Sequence, residues 1–308
     1  MVFADLKNDF VFRRIFGRHP AILCRLLNDL LDRSAQREIT EIDYQPIEQL
    51  PLAVGSKLSI LDVRCTERSG TTFVVEMQML HVAGFLNRVV YNACKTYVGQ
   101  LKAGEPYTKL TDVVAISICD FVLWADTEQV AKGQPPVPML SRWNRTEQGS
   151  GQQGLLQVQY AFLELPKLPD RRPETPGPDL WAWLFRHAQE LSEVPADLPG
   201  AYREAVELAN EATFTQPELD AYRRVMDEIQ QAREYGDARN AEGEAKGEAK
   251  GEAKGKAAAV LAFLEARGLL VASETRARIL GCNDIPTLDR WITRAVTVAS
   301  AAALEDAP

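Results

Sequence analysis

Two short apolar segments, at residues 58–65 and 72–78, have the aliphatic and β-branched composition that is typical of β-strands. The six residues between them include Ser69 and Gly70, which favour a tight turn because glycine readily adopts a positive φ. The pattern therefore predicts a β-hairpin. Each arm carries a carboxylate inside its apolar run, Asp62 in the first and Glu76 in the second.

Other apolar patterns predict helices on either side of this hairpin and further strands beyond it. Helical spacing of apolar residues marks three segments: 5–16, 20–32 and 84–102. Residues 113–118 form a continuous apolar run, as expected for a central strand covered on both faces, and strands are also predicted within 39–49 and 155–165. This order of elements predicts an α/β fold with a mixed central sheet flanked by helices.

The rest of the chain predicts a peripheral region and a helical tail. Residues 125–178 contain proline- and glycine-rich stretches, and helical patterns follow at 180–185, 201–212 and 217–234. Residues 243–254 repeat Gly-Glu-Ala-Lys three times. Four residues advance a helix by about 400°, so the repeat presents no fixed apolar face and is predicted to be a marginal helix or spacer, not a core element.

These patterns predict three parts: a main domain at 1–235, a repeat linker at 236–256 and a helical tail at 257–308. Contact between helices, including contact between two copies of the chain, is the expected role of the tail.

Asp62, Glu76 and Gln78 are the candidate metal-binding residues. Glu76 and Gln78 are two apart on a strand and so share one face, and a closed hairpin brings Asp62 beside Glu76. A half-buried carboxylate is costly unless it is paired, and a hard divalent cation such as Mg²⁺ or Mn²⁺ would pair with both. The alternative is that each carboxylate forms an ion pair, for example Asp62 with Arg64.

Composition excludes several classes of protein. No apolar run reaches the roughly 18 residues of a membrane span, and Asp5, Lys7 and Asp9 are unlike the start of a signal peptide. The 5 cysteines are dispersed and the 3 histidines isolated, which argues against a disulfide framework or a zinc site. We therefore expect a cytoplasmic protein with reduced thiols and no membrane partner.

Net charge is −8, which argues against a uniformly basic nucleic-acid binder. Charge need only be local, however. Residues 1–37 contain seven Lys or Arg against four Asp, so this segment is net positive.

An Asp, a hairpin turn and then Glu-x-Gln or Glu-x-Lys on the next strand resembles the signature of the PD-(D/E)XK nucleases, here as Asp62, Glu76 and Gln78. The wider chain is similar to one branch of that family, the recombination-promoting nucleases, which are also described as transposase-like. The resemblance covers roughly residues 1–170 and is looser beyond them. It rests on five further phrases in order, at 7–17, 85–91, 95–107, 113–121 and 162–167.

The resemblance implies a restriction-endonuclease-like core and a metal-dependent enzyme that hydrolyses phosphodiester bonds in DNA. Asp62 and Glu76 would bind Mg²⁺ or Mn²⁺, and Gln78 would orient water or a ligand. Most members of the family have lysine at the position of Gln78. Glutamine carries no charge, so a nearby cation would have to supply the positive charge that lysine provides. Lys57 and Lys95 are the candidates.

Further site residues are predicted on two helices. Arg88, Tyr91 and Lys95 lie at i, i+3 and i+7, which indicates one stripe of helix, so Lys95 is predicted to be catalytic and Arg88 and Tyr91 to support it. A solvated helix face is the alternative. Asp9 is a further supporting residue, close to the metal or else a surface group, and Asp120 is predicted to be structural.

The sequence thus predicts a Mg²⁺-dependent DNA endonuclease linked to recombination or mobile elements. The alternative is a catalytically degenerate DNA-binding or regulatory scaffold of the same fold. Transposition itself is a weaker prediction, because strand transfer needs a second substrate site and the sequence indicates none.

Overall fold

The computed structural model describes residues 1–33, 35–49, 58–125 and 131–304. It divides into two compact units, Met1–Gln230 and Gln231–Pro308. The division falls within one long helix, Gln216–Ala266. The predicted three-part division of the chain stays a prediction.

The first unit is built on a six-stranded sheet with the order β1-β4-β5-β6-β8-β7. The pairs β5/β6 and β6/β8 are parallel, whereas β1/β4, β4/β5 and β7/β8 are antiparallel. The predicted mixed sheet is therefore confirmed. β2 and β3 pair only with each other among the strands described. The strands are β1 Ile42–Tyr44, β2 Glu48–Gln49, β3 Ser59–Ile60, β4 Val63–Glu67, β5 Thr72–Gln78, β6 Val113–Cys119, β7 Leu140–Trp143 and β8 Val158–Glu164.

The predicted hairpin is formed by β4 and β5. Gly70 has a φ of 94°, and the turn is closed by the Glu67 amide, which donates to the Thr71 carbonyl at 3.0 Å. The first arm is shorter than predicted, because the chain bends at Asp62 between β3 and β4. At this bend the Asp62 carboxylate, and not a strand carbonyl, accepts the hydrogen bond of the Met77 amide.

Helices cover both faces of the sheet in the first unit. The first, α1, begins after Asn8, whose side-chain oxygen caps it by accepting the amides of Phe10 and Val11. The third, α3, was predicted to reach residue 102 but ends at Val98, where Gly99 caps it. Aliphatic and aromatic side chains from α1, α2, α4 and α5 form one core with the sheet. These helices are α1 Asp9–Phe16, α2 Pro20–Leu31, α3 Phe85–Val98, α4 Pro178–His187 and α5 Gly200–Leu208.

The region predicted to be peripheral contributes more than expected. It supplies the edge strand β7, which pairs with β8 and was not predicted. Just beyond this region, Trp181 on α4 is fully buried in the core. All five cysteines are free thiols.

The described residues of the second unit form helices, and the first of these begins before the unit does. α6 spans Gln216–Ala266, α7 Ser273–Gly281 and α8 Ile285–Ala295. The Gly-Glu-Ala-Lys repeat lies within α6, and the expectation that it stays outside any core is wrong at Ala253, which is buried with Leu264 and Leu288. Each copy of the repeat is rotated around the helix axis relative to the copy before it. Ala253 therefore lies on the face of α6 that α7 and α8 cover. Across the described residues, no helix is long and apolar enough to cross a membrane.

Candidate active site

A cavity of about 220 Å³ opens where the start of β4 meets the end of β5. The register of the hairpin sets its floor: Val63 lies opposite Val75, so the preceding Asp62 lies next to Glu76. α1 and α3 supply the other walls. The lining residues are Asp9, Arg13, Ile60, Asp62, Glu76, Met77, Gln78, Arg88 and Asn92.

Asp62 is held by the backbone on one side and by a cation on the other. Its Oδ2 accepts a hydrogen bond from the Met77 amide at 2.9 Å. Its Oδ1 accepts from the Arg13 guanidinium, at 2.8 Å from Nη2 and 3.3 Å from Nε. The carboxylate therefore has a fixed orientation, since only one of its two partners is a mobile side chain.

Glu76 is the most buried carboxylate of the cavity, with 8% of the residue exposed. Burial raises its pKa, and the nearby charges of Asp62 and Asp9 add to that rise. The Asn92 amide opposes it by donating a hydrogen bond to Glu76 Oε1 at 2.9 Å. A positive charge at Glu76 would stabilise its ionised form, which is the form that binds a metal.

Gln78 is paired with Arg88. The Arg88 guanidinium donates to Gln78 Oε1, which leaves the amide NH₂ of Gln78 as the group free to act as a donor. Arg88 also lies 5.6 Å from the ring centroid of Phe85. The Arg88 guanidinium therefore places a positive charge beside Gln78, whose own side chain carries none.

Asp9 is the third carboxylate at this cavity. Burial, together with the charge of Asp62, raises the pKa of Asp9 to about 6, and Arg13 and Arg88 act in the opposite direction. Arg13 lies one helical turn further along α1, with its Nη2 4.0 Å from Asp9 Oδ2. The rise is therefore caused first by burial and second by the neighbouring negative charge of Asp62, and the two guanidiniums offset it only in part.

The donor set fits a hard divalent cation. The cavity offers carboxylate oxygens from Asp62 and Glu76, with Asp9 as a further carboxylate and Gln78 as an amide. The Arg13 guanidinium already acts as a stand-in cation at Asp62. Within the ranges that the structure covers, no three His, Cys, Asp or Glu side chains are grouped as a complete metal site. Water and substrate oxygens would have to complete the coordination, as is usual for Mg²⁺.

Lys95 and Tyr91 are not among the residues that line this cavity. Lys95 is 4% exposed, and its ammonium donates to the Gln49 carbonyl at 2.8 Å. Tyr91 lines a neighbouring cavity of about 650 Å³, which shares Ile60, Arg88 and Asn92 with the first. The catalytic role of Lys95 and the supporting role of Tyr91 stay predictions.

Two other candidates lie elsewhere. Asp120 forms an ion pair with Lys7 at 3.2 Å, which is consistent with its predicted structural role. Lys57, the other lysine proposed to replace the missing charge, lies outside the described residues.

The sequence patterns missed Arg13 and Asn92. Each lies four residues after a predicted site residue: Arg13 follows Asp9, and Asn92 follows Arg88. Residues four apart lie next to each other on a helix, so this spacing was the available signal.

Residues 6–235 match the family model described as PD-(D/E)XK nuclease family transposase. This range includes every residue of the cavity and the whole six-stranded sheet. The match does not specify a branch of the family. Searches of curated proteins and of solved structures gave no significant match.

Proposed function

Because the chain belongs to the PD-(D/E)XK nuclease family transposases, we propose that it is a metal-dependent endonuclease that hydrolyses phosphodiester bonds in DNA. One observation carries the proposal: Asp62, at the bend before β4, and Glu76, on β5, line one cavity together with the cations Arg13 and Arg88. Carboxylates and guanidiniums in one cleft are the groups that metal-assisted phosphodiester hydrolysis needs.

Asp62 and Glu76 are the residues that would hold the metal, with Asp9 beside them. A bound divalent cation would supply a water of lowered pKa and positive charge for the phosphate. The protein's part is to fix the ligands in advance. The Met77 amide orients Asp62 and the Asn92 amide orients Glu76, so these two carboxylates need little rearrangement when the site is filled.

Gln78 and Arg88 would act on the substrate as a pair. With its oxygen held by Arg88, the Gln78 side chain can donate through its NH₂ to a water or to a phosphate oxygen. The Arg88 guanidinium supplies the fixed positive charge that stabilises charge developing on the phosphate. Because Arg88 would supply the charge and Gln78 the hydrogen-bond donor, glutamine would be compatible with catalysis where most of the family has lysine.

The second candidate is a DNA-binding or regulatory scaffold that has kept the fold. The observation that favours it is Gln78 itself, which cannot act as a general base or carry a charge. In this case Arg13 would be the permanent partner of Asp62, and DNA would bind without being cut.

Nicking of supercoiled plasmid in Mg²⁺ or Mn²⁺ distinguishes the two candidates. The variants Asp62→Asn and Glu76→Gln keep the size of the side chain but remove its charge, and we expect each to lower the nicking rate at least about a hundredfold. Asp43→Asn is the matched control, because Asp43 is an exposed carboxylate on β1 of the same sheet.

The enzyme proposal requires nicking by wild type and by Asp43→Asn, and loss of nicking in EDTA. DNA binding by wild type without nicking in either metal would support the scaffold and contradict the enzyme. Circular dichroism of each variant checks that the fold is retained.

A further inference from the structure

The cavity contains a cation that belongs to the protein, the Arg13 guanidinium. It contacts Oδ1 of Asp62 through two of its nitrogens, at 2.8 and 3.3 Å. The other oxygen, Oδ2, is occupied by the Met77 amide. Oδ1 is therefore the oxygen of Asp62 that has no backbone partner, and Arg13 is the group that contacts it.

The two members of this ion pair differ in their freedom to move. The Asp62 side chain is 11% exposed and is fixed by a backbone hydrogen bond. The Arg13 side chain is 41% exposed and extends from α1 on a flexible stem. A competing cation would therefore displace Arg13 and leave Asp62 in place.

The charges of the cavity set up this competition. Three carboxylates, Asp9, Asp62 and Glu76, face the guanidiniums of Arg13 and Arg88. A divalent cation on Oδ1 of Asp62 and a guanidinium on the same atom would be a few ångströms apart and would repel each other. The cavity attracts a metal through its excess of carboxylates, but the ion pair between Arg13 and Asp62 must weaken when the metal binds.

We propose that Arg13 competes with the divalent metal for Asp62. It neutralises this carboxylate in the metal-free protein and gives up Oδ1 when the metal binds. The inference rests on the proposed function, because it assumes that Asp62 is a metal ligand. Its consequence is that Arg13 lowers the metal affinity of the free protein, and that its guanidinium becomes available to a phosphate only after the metal has bound.

Binding of Mn²⁺ alone, without DNA, tests the competition by titration calorimetry on the full chain. We expect Arg13→Gln to tighten Mn²⁺ binding about tenfold, because the carboxylate no longer has to exchange one cation for another. Arg18→Gln is the control for the loss of one positive charge, because Arg18 is an exposed arginine just beyond α1, and its Mn²⁺ affinity should equal that of wild type.

A double variant shows whether the gain acts through Asp62. If Arg13 competes for this carboxylate, Asp62→Asn with Arg13→Gln should bind Mn²⁺ no tighter than Asp62→Asn alone. Arg13→Lys should give an affinity between wild type and Arg13→Gln, because lysine keeps the charge but loses the two-nitrogen contact.

If Arg13→Gln binds Mn²⁺ as weakly as wild type, or more weakly, the competition is wrong while the proposed metal site stands. If neither wild type nor any variant binds Mn²⁺, the inference and the metal-dependent function are both wrong. If Arg13→Gln does not fold, Arg13→Lys decides, and an affinity equal to or below that of wild type overturns the inference.

Discussion

The side-chain amide of Asn92 donates a hydrogen bond to Glu76 Oε1 across 2.9 Å, and so joins helix α3 to strand β5 inside the cavity. Both residues are buried, with 4% of Asn92 and 8% of Glu76 exposed. The bond leaves Glu76 Oε2 as the oxygen not used by Asn92. It also stabilises the ionised carboxylate, against the effect of burial.

Replacement of Asn92 by alanine is expected to raise the pKa of Glu76 further. Below that pKa a bound proton must leave before a metal can bind, so Mn²⁺ affinity falls as the pH falls. The loss of a hydrogen bond to the charged form should move the midpoint of this fall to higher pH. The measurement is Mn²⁺ affinity as a function of pH.

Asn87→Ala is the control for this variant, because Asn87 is an exposed asparagine on the same helix and does not line the smaller cavity. An unchanged midpoint in Asn92→Ala would show that the hydrogen bond does not affect the ionisation of Glu76.

The substitution Gln78→Lys introduces the residue that most of the family has, and we expect it to lower the nicking rate about tenfold or more. Lysine cannot accept the hydrogen bond from Arg88, and its charge would repel the guanidinium. The double variant Gln78→Lys with Arg88→Gln should recover part of the activity, since it again has one cation and one amide. Higher activity in the single variant than in wild type would contradict the paired role of Gln78 and Arg88.

Asp9 is expected to destabilise the metal-free protein at neutral pH. Its pKa is about 6 in the folded protein and lower in the unfolded chain, so the folded state binds the proton more tightly. The destabilisation is absent at low pH, develops between about pH 4 and pH 6, and is constant above. In EDTA, Asp9→Asn should therefore gain about 1 kcal/mol in free energy of unfolding near neutral pH, a modest value because the carboxylate is half-exposed.

Thermal unfolding across this pH range measures the effect, with Asp43→Asn as an exposed control. Addition of Mn²⁺ should remove or reverse the gain, because Asp9 then faces a positive charge. A gain in EDTA that does not vary with pH would mean that the ionisation of Asp9 is not its cause.

Lys95→Met is expected to lower the free energy of unfolding by about 1–3 kcal/mol, because the Gln49 carbonyl loses a buried hydrogen-bond donor. Chemical denaturation measures this change. Lys102→Met, at an exposed position beyond the end of α3, is the control. Loss of nicking at unchanged stability would instead support the catalytic role that the sequence pattern predicts for Lys95.

Much of the sheet around the cavity could be predicted from local sequence patterns. The hairpin, its glycine turn and the two-residue spacing of Glu76 and Gln78 depend only on strand geometry, which the sequence expresses directly. The buried strand β6 was equally clear from its continuous apolar run. The break at Asp62 could not be predicted, because there the Asp62 carboxylate accepts a hydrogen bond from the amide of Met77, 15 positions further along the chain.

Of the predicted stripe of Arg88, Tyr91 and Lys95, only Arg88 lines the smaller cavity. Seven residues advance a helix by about 10 Å, so its first and last residues reach different surroundings. Arg88 meets Gln78 at the cavity, whereas Lys95 meets Gln49 on β2.

By itself, the sequence determined which carboxylates share a hairpin face, since alternation along a strand and the position of a turn are local properties of the chain. Only the tertiary structure decided that Arg13 and Asn92 are their partners. The rotation and position of α1 and α3 against the sheet are set by the packing of apolar side chains from distant segments, and that packing brings one polar face of each helix to the carboxylates.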